Sequence, residues 1–430
     1  MEQLRNKISL YGLDFWKYMF GQFISIIGDV CGHIAFTWWI LEQKNGTEAI
    51  AAVMAPAMFF RIFLMPLVGP LGDKFSRKKI LAISEALRGI VTAVLALLII
   101  LNHYHLPILI FLFSLLSVGT ALYYSASTSI IPQLVKPQMI EPSIQLSQGI
   151  TASGNVIGGV VGGSLVAFLG VKETYILDSL SFFLATIVIL RIKSSTLPQK
   201  NQTQNSSIKQ WSLDLKEGFQ VVYRVKILFS WALLAMLMNF VVAPLSIALP
   251  ALIKEAKNLP AWCLGWAEMS AGVGAVVGSY LVAKSLKQFS RANLIYWSIF
   301  GLGLSCALLP LGDNVYFIMA SMFMIAVFGM LCNVPASTQI MIATPNHYRS
   351  RVSAILSFMC QGINPISIAI IGILMAEIGI ETTILGMGLI LSLLALCSPF
   401  VPDFFHFFNS QEDEVKDFFE SRYRLSQFKI

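Results

Sequence analysis

A chain of 430 residues that is 56% hydrophobic and 12% charged, with a mean hydropathy of +0.72, has too few charges to cover a soluble surface and reads as a polytopic membrane protein. Its net charge of +7 does not indicate a nucleic-acid partner, because the cations sit in short loops between apolar runs, the distribution that orients membrane helices. The six cysteines lie within or beside apolar runs with no C-x-x-C spacing, so they read as packing residues rather than a metal site or a disulfide framework.

Runs long enough to cross a hydrocarbon core of about 30 Å predict helices over 15–41, 49–71, 80–102, 107–131, 144–168 and 173–191, then over 227–250, 263–283, 292–312, 315–341, 352–377 and 381–402. The expected fold is all-α, twelve transmembrane helices in two six-helix bundles covering 1–192 and 227–402. Residues 1–14 are polar and mixed in charge, so the first run is expected to remain as a helix rather than be removed as a leader. Between the bundles, 193–226 begins as a polar linker and turns amphipathic from Trp211 to Arg224. The tail 403–430 is charged and phenylalanine-rich, the pattern of an amphipathic surface helix. With both termini cytoplasmic, the outer loops hold only Lys44, Lys172, Lys254 and Lys257, and Arg61 and Arg88 lie within helices. Every other Lys and Arg then falls on the cytoplasmic side, as the positive-inside rule requires.

Ionisable residues inside apolar runs carry the chemistry. A carboxylate as deep as Asp29, mid-way along the first predicted helix, costs roughly 3 kcal/mol to insert, so it faces a cavity, pairs with a cation or carries protons. His33 is one turn further on the same face. A proton or substrate role and a structural ion pair both fit Asp29. Glu85 and Arg88, three apart on the third helix, can pair along one face. Arg61 on the second has no local partner and must snorkel, pair with an acid such as Asp29, or face a cavity. Glu268, near Trp262 and Trp266 on the eighth, suits a gate or an interfacial position. No phosphate loop, nucleophile–base arrangement or metal cluster is present in the sequence, so neither ATP, a cofactor nor enzymatic catalysis is expected.

The fifth predicted helix carries Gly154, Gly158, Gly159, Gly162 and Gly163, a smooth surface that lets a neighbouring helix approach closely. Gly158 and Gly162 are expected where the two halves meet. Phe75-Ser76-Arg77 recurs as Phe289-Ser290-Arg291, Gln148-Gly149-Ile150 recurs as Gln361-Gly362-Ile363, and Pro132 is matched by Pro345, at offsets of 213 or 214 residues. These matches predict a duplicated six-helix unit.

The basic hinge from Gly69 to Lys79, between the second and third predicted helices, resembles the G-x-L-x-D-x-x-x-R-K signature of the major facilitator superfamily. The glycine run of the fifth helix looks like that superfamily's antiporter signature, with Gly159 in place of the proline. Gly21-Gln22-x-x-Ser25-x-x-Gly28-Asp29, Ile131-Pro132-x-Leu134-Val135, Asp178-x-x-Ser181-Phe182, Lys216-Glu217-Gly218 and Gln339-x5-Pro345-x3-Arg349-x-Arg351-Val352 narrow the likeness to the branch of macrolide efflux proteins and the enterobactin exporter. The resemblance implies a monomer in the cell (inner) membrane that exports a small organic molecule, a drug or siderophore, in exchange for protons. It leaves open a lipid-like substrate, import, or a sensor that binds without turnover. It also implies a conformational latch built from Gly69, Asp73, Arg77 and Lys78 with Arg351; Lys287 stands opposite Asp73 in the second copy, so that latch would be one-sided. Cavity-lining candidates placed by the resemblance are Trp38, Trp39, Tyr123, Tyr124, Asn239, Gln361 and Asn364.

Overall fold

The computed structural model describes residues 11–68, 75–193, 208–345 and 348–423. Among these, eleven spans are long and apolar enough to cross a membrane, and no residue is in a strand. Such helices satisfy their backbone groups internally, the condition hydrocarbon imposes.

The first of two units comprises Met1–Gln202 together with Leu249–Met269. Its helices are α1 (Leu13–Ile40), α2 (Gly46–Val68), α3 (Arg77–Ile100), α4 (Leu106–Leu134), α5 (Ile140–Phe168) and α6 (Val171–Leu190). Here α1 packs on α5 and α6, α3 on α4 and α6, and α2 on α4. Asp14, in the first turn of α1, accepts from Lys17 Nζ at 2.7 Å and from the Lys193 N–H at 2.9 Å, tying the start of α1 to the end of α6. A carboxylate there also suits the positive end of the helix dipole.

The second unit comprises Thr203–Ala248 and Ser270–Ile430. The amphipathic linker forms α7 (Ile208–Arg224), followed by α8 (Lys226–Val242) and α9 (Leu245–Ala251). A π-turn over Leu252–Ala256 and α10 (Ala261–Ser285) as far as Met269 belong to the first unit; α10 fills the eighth predicted position, and Glu268, Lys284 and several glycines and serines dilute its apolar character. Then come α11 (Arg291–Leu308), α12 (Val315–Ala343), α13 (Arg349–Gly362), α14 (Asn364–Ile378) and α15 (Ile380–Cys397). The pairing repeats that of the first unit: α11 packs on α12 and α15, and α8 on α13 and α15.

Two predicted spans are broken where the sequence supplies a reason. The 227–250 run divides into α8 and α9 around Pro244, and the 352–377 run divides at Ile363, with Pro365 in the first turn of α14. Proline lacks an amide hydrogen and is accommodated at a helix start.

The tail departs from the expected surface helix. It forms α16 (Phe404–Asn409) and α17 (Glu412–Tyr423), and Phe404, Phe407, Phe408, Val415, Phe418 and Phe419 are buried together with Ile227, Trp231 and Ile295. Gln339 Nε2 donates to the carbonyls of Phe407 at 3.0 Å and Ser410 at 3.2 Å. Tyr423 donates to Asp403 at 3.0 Å; burial, then that carboxylate, push its phenol up to about 12, so it remains a donor. Each buried phenylalanine removes enough apolar surface from water to contribute about 1.5–3 kcal/mol, so the tail is part of the unit's core. The linker helix is likewise packed rather than free: α7 lies on α13, with Gly218 against the Arg351 backbone and Glu217 paired with Arg351.

Candidate functional site

In the first unit, α1, α3 and α6 bring four ionisable side chains together. Arg88 of α3 is 3% exposed and donates through Nη2 to Asp29 Oδ2 of α1, whose side chain is 44% exposed. Glu85, one turn before Arg88, is fully buried, with Oε1 3.5 Å from Arg88 Nη1. Ser25 Oγ donates to both Glu85 oxygens, at 3.0 and 3.1 Å. The guanidinium also lies over the Phe182 ring of α6, 4.3 Å from its centroid, and 5.5 Å from that of Tyr123. Two carboxylates therefore share one permanent cation, and only one of them is exposed.

Asp29 thus takes Arg88 as its partner, not Arg61, which is exposed on α2. His33 lies within the field of Asp29. Asp178 of α6 is the member that reading the residues one by one missed. It appeared only within a family-like motif, and nothing local shows that α6 turns it toward α1.

Of the latch candidates, Gly69 and Asp73 lie outside the described residues. Arg77 begins α3, Lys78 Nζ donates to the Ile192 carbonyl at 2.5 Å, and Arg351 is engaged by Glu217.

The glycines of α5 divide between two neighbours. A Cβ on Gly154 would lie 2.9 Å from Ile26 Cγ2, on Gly158 2.9 Å from Val30 Cβ, and on Gly162 2.8 Å from Cys31 Cα, so this face meets α1. Gly158 and Gly162 consequently pack inside the first half of the sequence, not against the second as expected. Gly159 and Gly163, one residue and about 100° further round, instead approach Gly265 of α10, with contacts of 3.3 Å to its carbonyl and 2.9 Å to its Cα. Half-buried Glu268 adjoins the same crossing, 3.4 Å from a Cβ on Gly159.

The cavity candidates separate as well. Trp38 and Trp39 line a space of about 390 Å³ with Glu42, Gln43, Asn102 and Glu173. Lys254 from the π-turn reaches this edge: its Nζ donates to the Trp38 carbonyl at 2.5 Å, lies 3.0 Å from Glu42 Oε1 and sits 4.5 Å over the Trp38 ring. Next to it, Thr47 Oγ1 donates to Glu255 at 2.6 Å. Tyr123 belongs to the apolar core beside α1, and Tyr124 is exposed. In the second unit, Asn239 and Gln361 line a cavity of about 540 Å³ together with Trp231, Met238, Asn333, Ser337, Ser353 and Arg349. Both lie within five residues of the breaks in their helices. Asn364 is buried just past the second break and does not line it.

The Major Facilitator Superfamily model matches residues 18–367. The chain is 23% identical over 408 residues to macrolide efflux protein A of Streptococcus pyogenes, covering 92% of this chain and 98% of that one. It is 20% identical over 377 residues to the staphyloferrin A transporter of Staphylococcus aureus, with coverage of 87% and 92%. The crystal structure of the nucleoside transporter NupG superposes with a TM-score of 0.74 at 13% identity over 93% of this chain and 100% of that one, a likeness of fold. The chain belongs to the Major Facilitator Superfamily, in a branch resembling the macrolide efflux proteins, and is a membrane transporter rather than an enzyme.

Proposed function

We propose that this transporter exports an amphipathic small molecule in exchange for protons by alternating access, with both termini on the cytoplasmic side of the inner membrane. The observation that carries the coupling is the sharing of Arg88 between exposed Asp29 and buried Glu85. A proton arriving on Asp29 removes its hold on the guanidinium and leaves Glu85 and Ser25 as its partners; proton loss restores the first pairing. Binding energy that differs between the two pairings shifts the balance of conformations. Asp29, Glu85 and Arg88 are the coupling residues in this reading, with His33 tuning Asp29.

The cavity at the breaks of α8/α9 and α13/α14 supports a substrate half-site in the second unit. Interrupted membrane helices expose backbone groups that can serve a ligand, and about 540 Å³ suits an organic molecule. Its lining is apolar with amide and hydroxyl groups and, among the described residues, a single charge, Arg349. The names of the macrolide and staphyloferrin A relatives supply two probe classes. The test is uptake of a radiolabelled macrolide, and separately of a carboxylate siderophore, into everted membrane vesicles under an imposed proton gradient. Accumulation that collapses with a protonophore is expected for at least one probe; gradient-independent uptake of both would refute proton exchange.

A further inference from the structure

One carboxyl at the α1/α3/α6 junction has no part in the scheme above. Asp178 is 5% exposed, and its Oδ1 is buried without a hydrogen-bond partner. It is seated on the Gly28–Gly32 step of α1. A Cβ on Gly28 would lie 2.9 Å from Asp178 Oδ1 and 2.8 Å from Ser181 Cβ, and one on Gly32 would lie 2.7 Å from Asp178 Cγ. These approaches are tighter than side chains tolerate, so only glycine at both positions lets the carboxyl reach the α1 backbone. The same closeness leaves no space on that side for a hydrated ion, and a bare metal ion would need several oxygen ligands. A proton is the ligand that fits.

Among the described residues, the charged and titratable groups around Asp178 are Asp29 and Cys31 from α1, Glu85 and Arg88 from α3, and Tyr175 one turn back on its own helix. Arg88 is the only cation among them, and it is held by Asp29 and Glu85. Phe182, one turn beyond Asp178, carries the Arg88 guanidinium on its ring, so Arg88 lies at the α6 surface that presents Asp178. A buried carboxyl with no counter-charge is accommodated as the neutral acid.

We propose that Asp178 is a second proton-binding carboxyl of the transporter, holding its proton while Arg88 is engaged by Asp29 and releasing it when that pairing is broken. This rests on the proton-exchange reading. The exchange balances: Asp29 gains a proton, Asp178 gives one up, and the guanidinium, charged throughout, changes partner. The proton thereby passes from the glycine-seated acid to the exposed one, and the net charge of the site is unaltered.

Infrared difference spectroscopy on the reconstituted full chain tests this without a substrate. At neutral pH the wild type is expected to show a protonated-carboxyl C=O band that shifts in D2O and is lost in Asp178→Asn. Glu85→Gln identifies any band from that neighbour. Asp29→Asn frees Arg88 and should therefore weaken the Asp178 band, which a merely structural acid would not do. A band that survives Asp178→Asn, or that Asp29→Asn leaves unchanged, overturns the proposal. Should Asp178→Asn fail to insert, the response of the wild-type band to Asp29→Asn decides alone. Failure of proton-driven export is recognised separately, as absent gradient-dependent macrolide and siderophore uptake by wild-type vesicles, whatever the band does.

Discussion

The first unit turns charge inward, whereas the second keeps carboxylates away from its cavity and relies on aromatic packing. At the α1/α3/α6 junction, Asp29, Glu85 and Asp178 face a single Arg88. Around the 540 Å³ cavity the lining carries no carboxylate among the described residues, and the unit's core is extended by the phenylalanines of α16 and α17. The two halves share a helix-pairing pattern, so this difference comes from side chains rather than topology. It suggests a division of labour in which one copy of the repeat senses protons and the other holds the organic molecule.

The largest effect should come from Arg88→Ala. Removing one member of a buried ion pair strands Glu85, which is fully buried, and such changes cost about 3–5 kcal/mol. A steep loss of thermal stability in detergent is expected, with recovery in Arg88→Met/Glu85→Gln but no recovery of gradient-driven transport. A stable, active Arg88→Ala would show that the inward charge is idle.

A comparable change in the second unit should act through packing alone. Phe407→Ala removes a fully buried ring stacked 5.5 Å from Phe419 and edge-on to Phe418 at 5.0 Å, and such truncations cost about 3–5 kcal/mol. The melting temperature should fall while the pH dependence of transport in the surviving protein stays as in the wild type. An altered pH profile would mean that the tail belongs to the coupling machinery.

The sequence made one side of this contrast far easier to read than the other. Asp29, Glu85 and Arg88 stand out because charge inside an apolar run is costly, and Glu85 and Arg88 are close enough on one helix to be paired by inspection. The pairing of Arg88 with Asp29, 59 residues away, is not legible without the fold, which is why Arg61 stood as the candidate partner instead. Asp178 escaped for the same reason: its role depends on α6 lying against Gly28 and Gly32. The α5 glycines were recognisable as a packing surface, but residues 158 and 159 differ by about 100° of rotation, and the sequence does not say which neighbour each meets. The runs over 227–250 and 352–377 read as unbroken spans, although Pro244 and Pro365 stand at the breaks the fold shows. The tail was misjudged because alternating phenylalanine and charge suits a membrane surface and a protein surface equally.

A smaller effect is expected at the cavity. Asn239→Leu and Gln361→Leu each delete a hydrogen-bonding group worth about 0.5–1.5 kcal/mol, or roughly two- to twelvefold in macrolide KM at 1.4 kcal/mol per decade. Proton dependence should be unchanged. Loss of coupling with unaltered KM would reverse the assignment of the two units.

The most direct measurement compares Asp29→Asn with wild type in two modes of the same vesicles: uptake driven by a proton gradient, and exchange of radiolabelled macrolide with no gradient. Coupling at Asp29 predicts that the variant loses accumulation against the concentration gradient yet retains exchange, because the second-unit cavity is intact. Accumulation at the wild-type rate with the same pH dependence would contradict it.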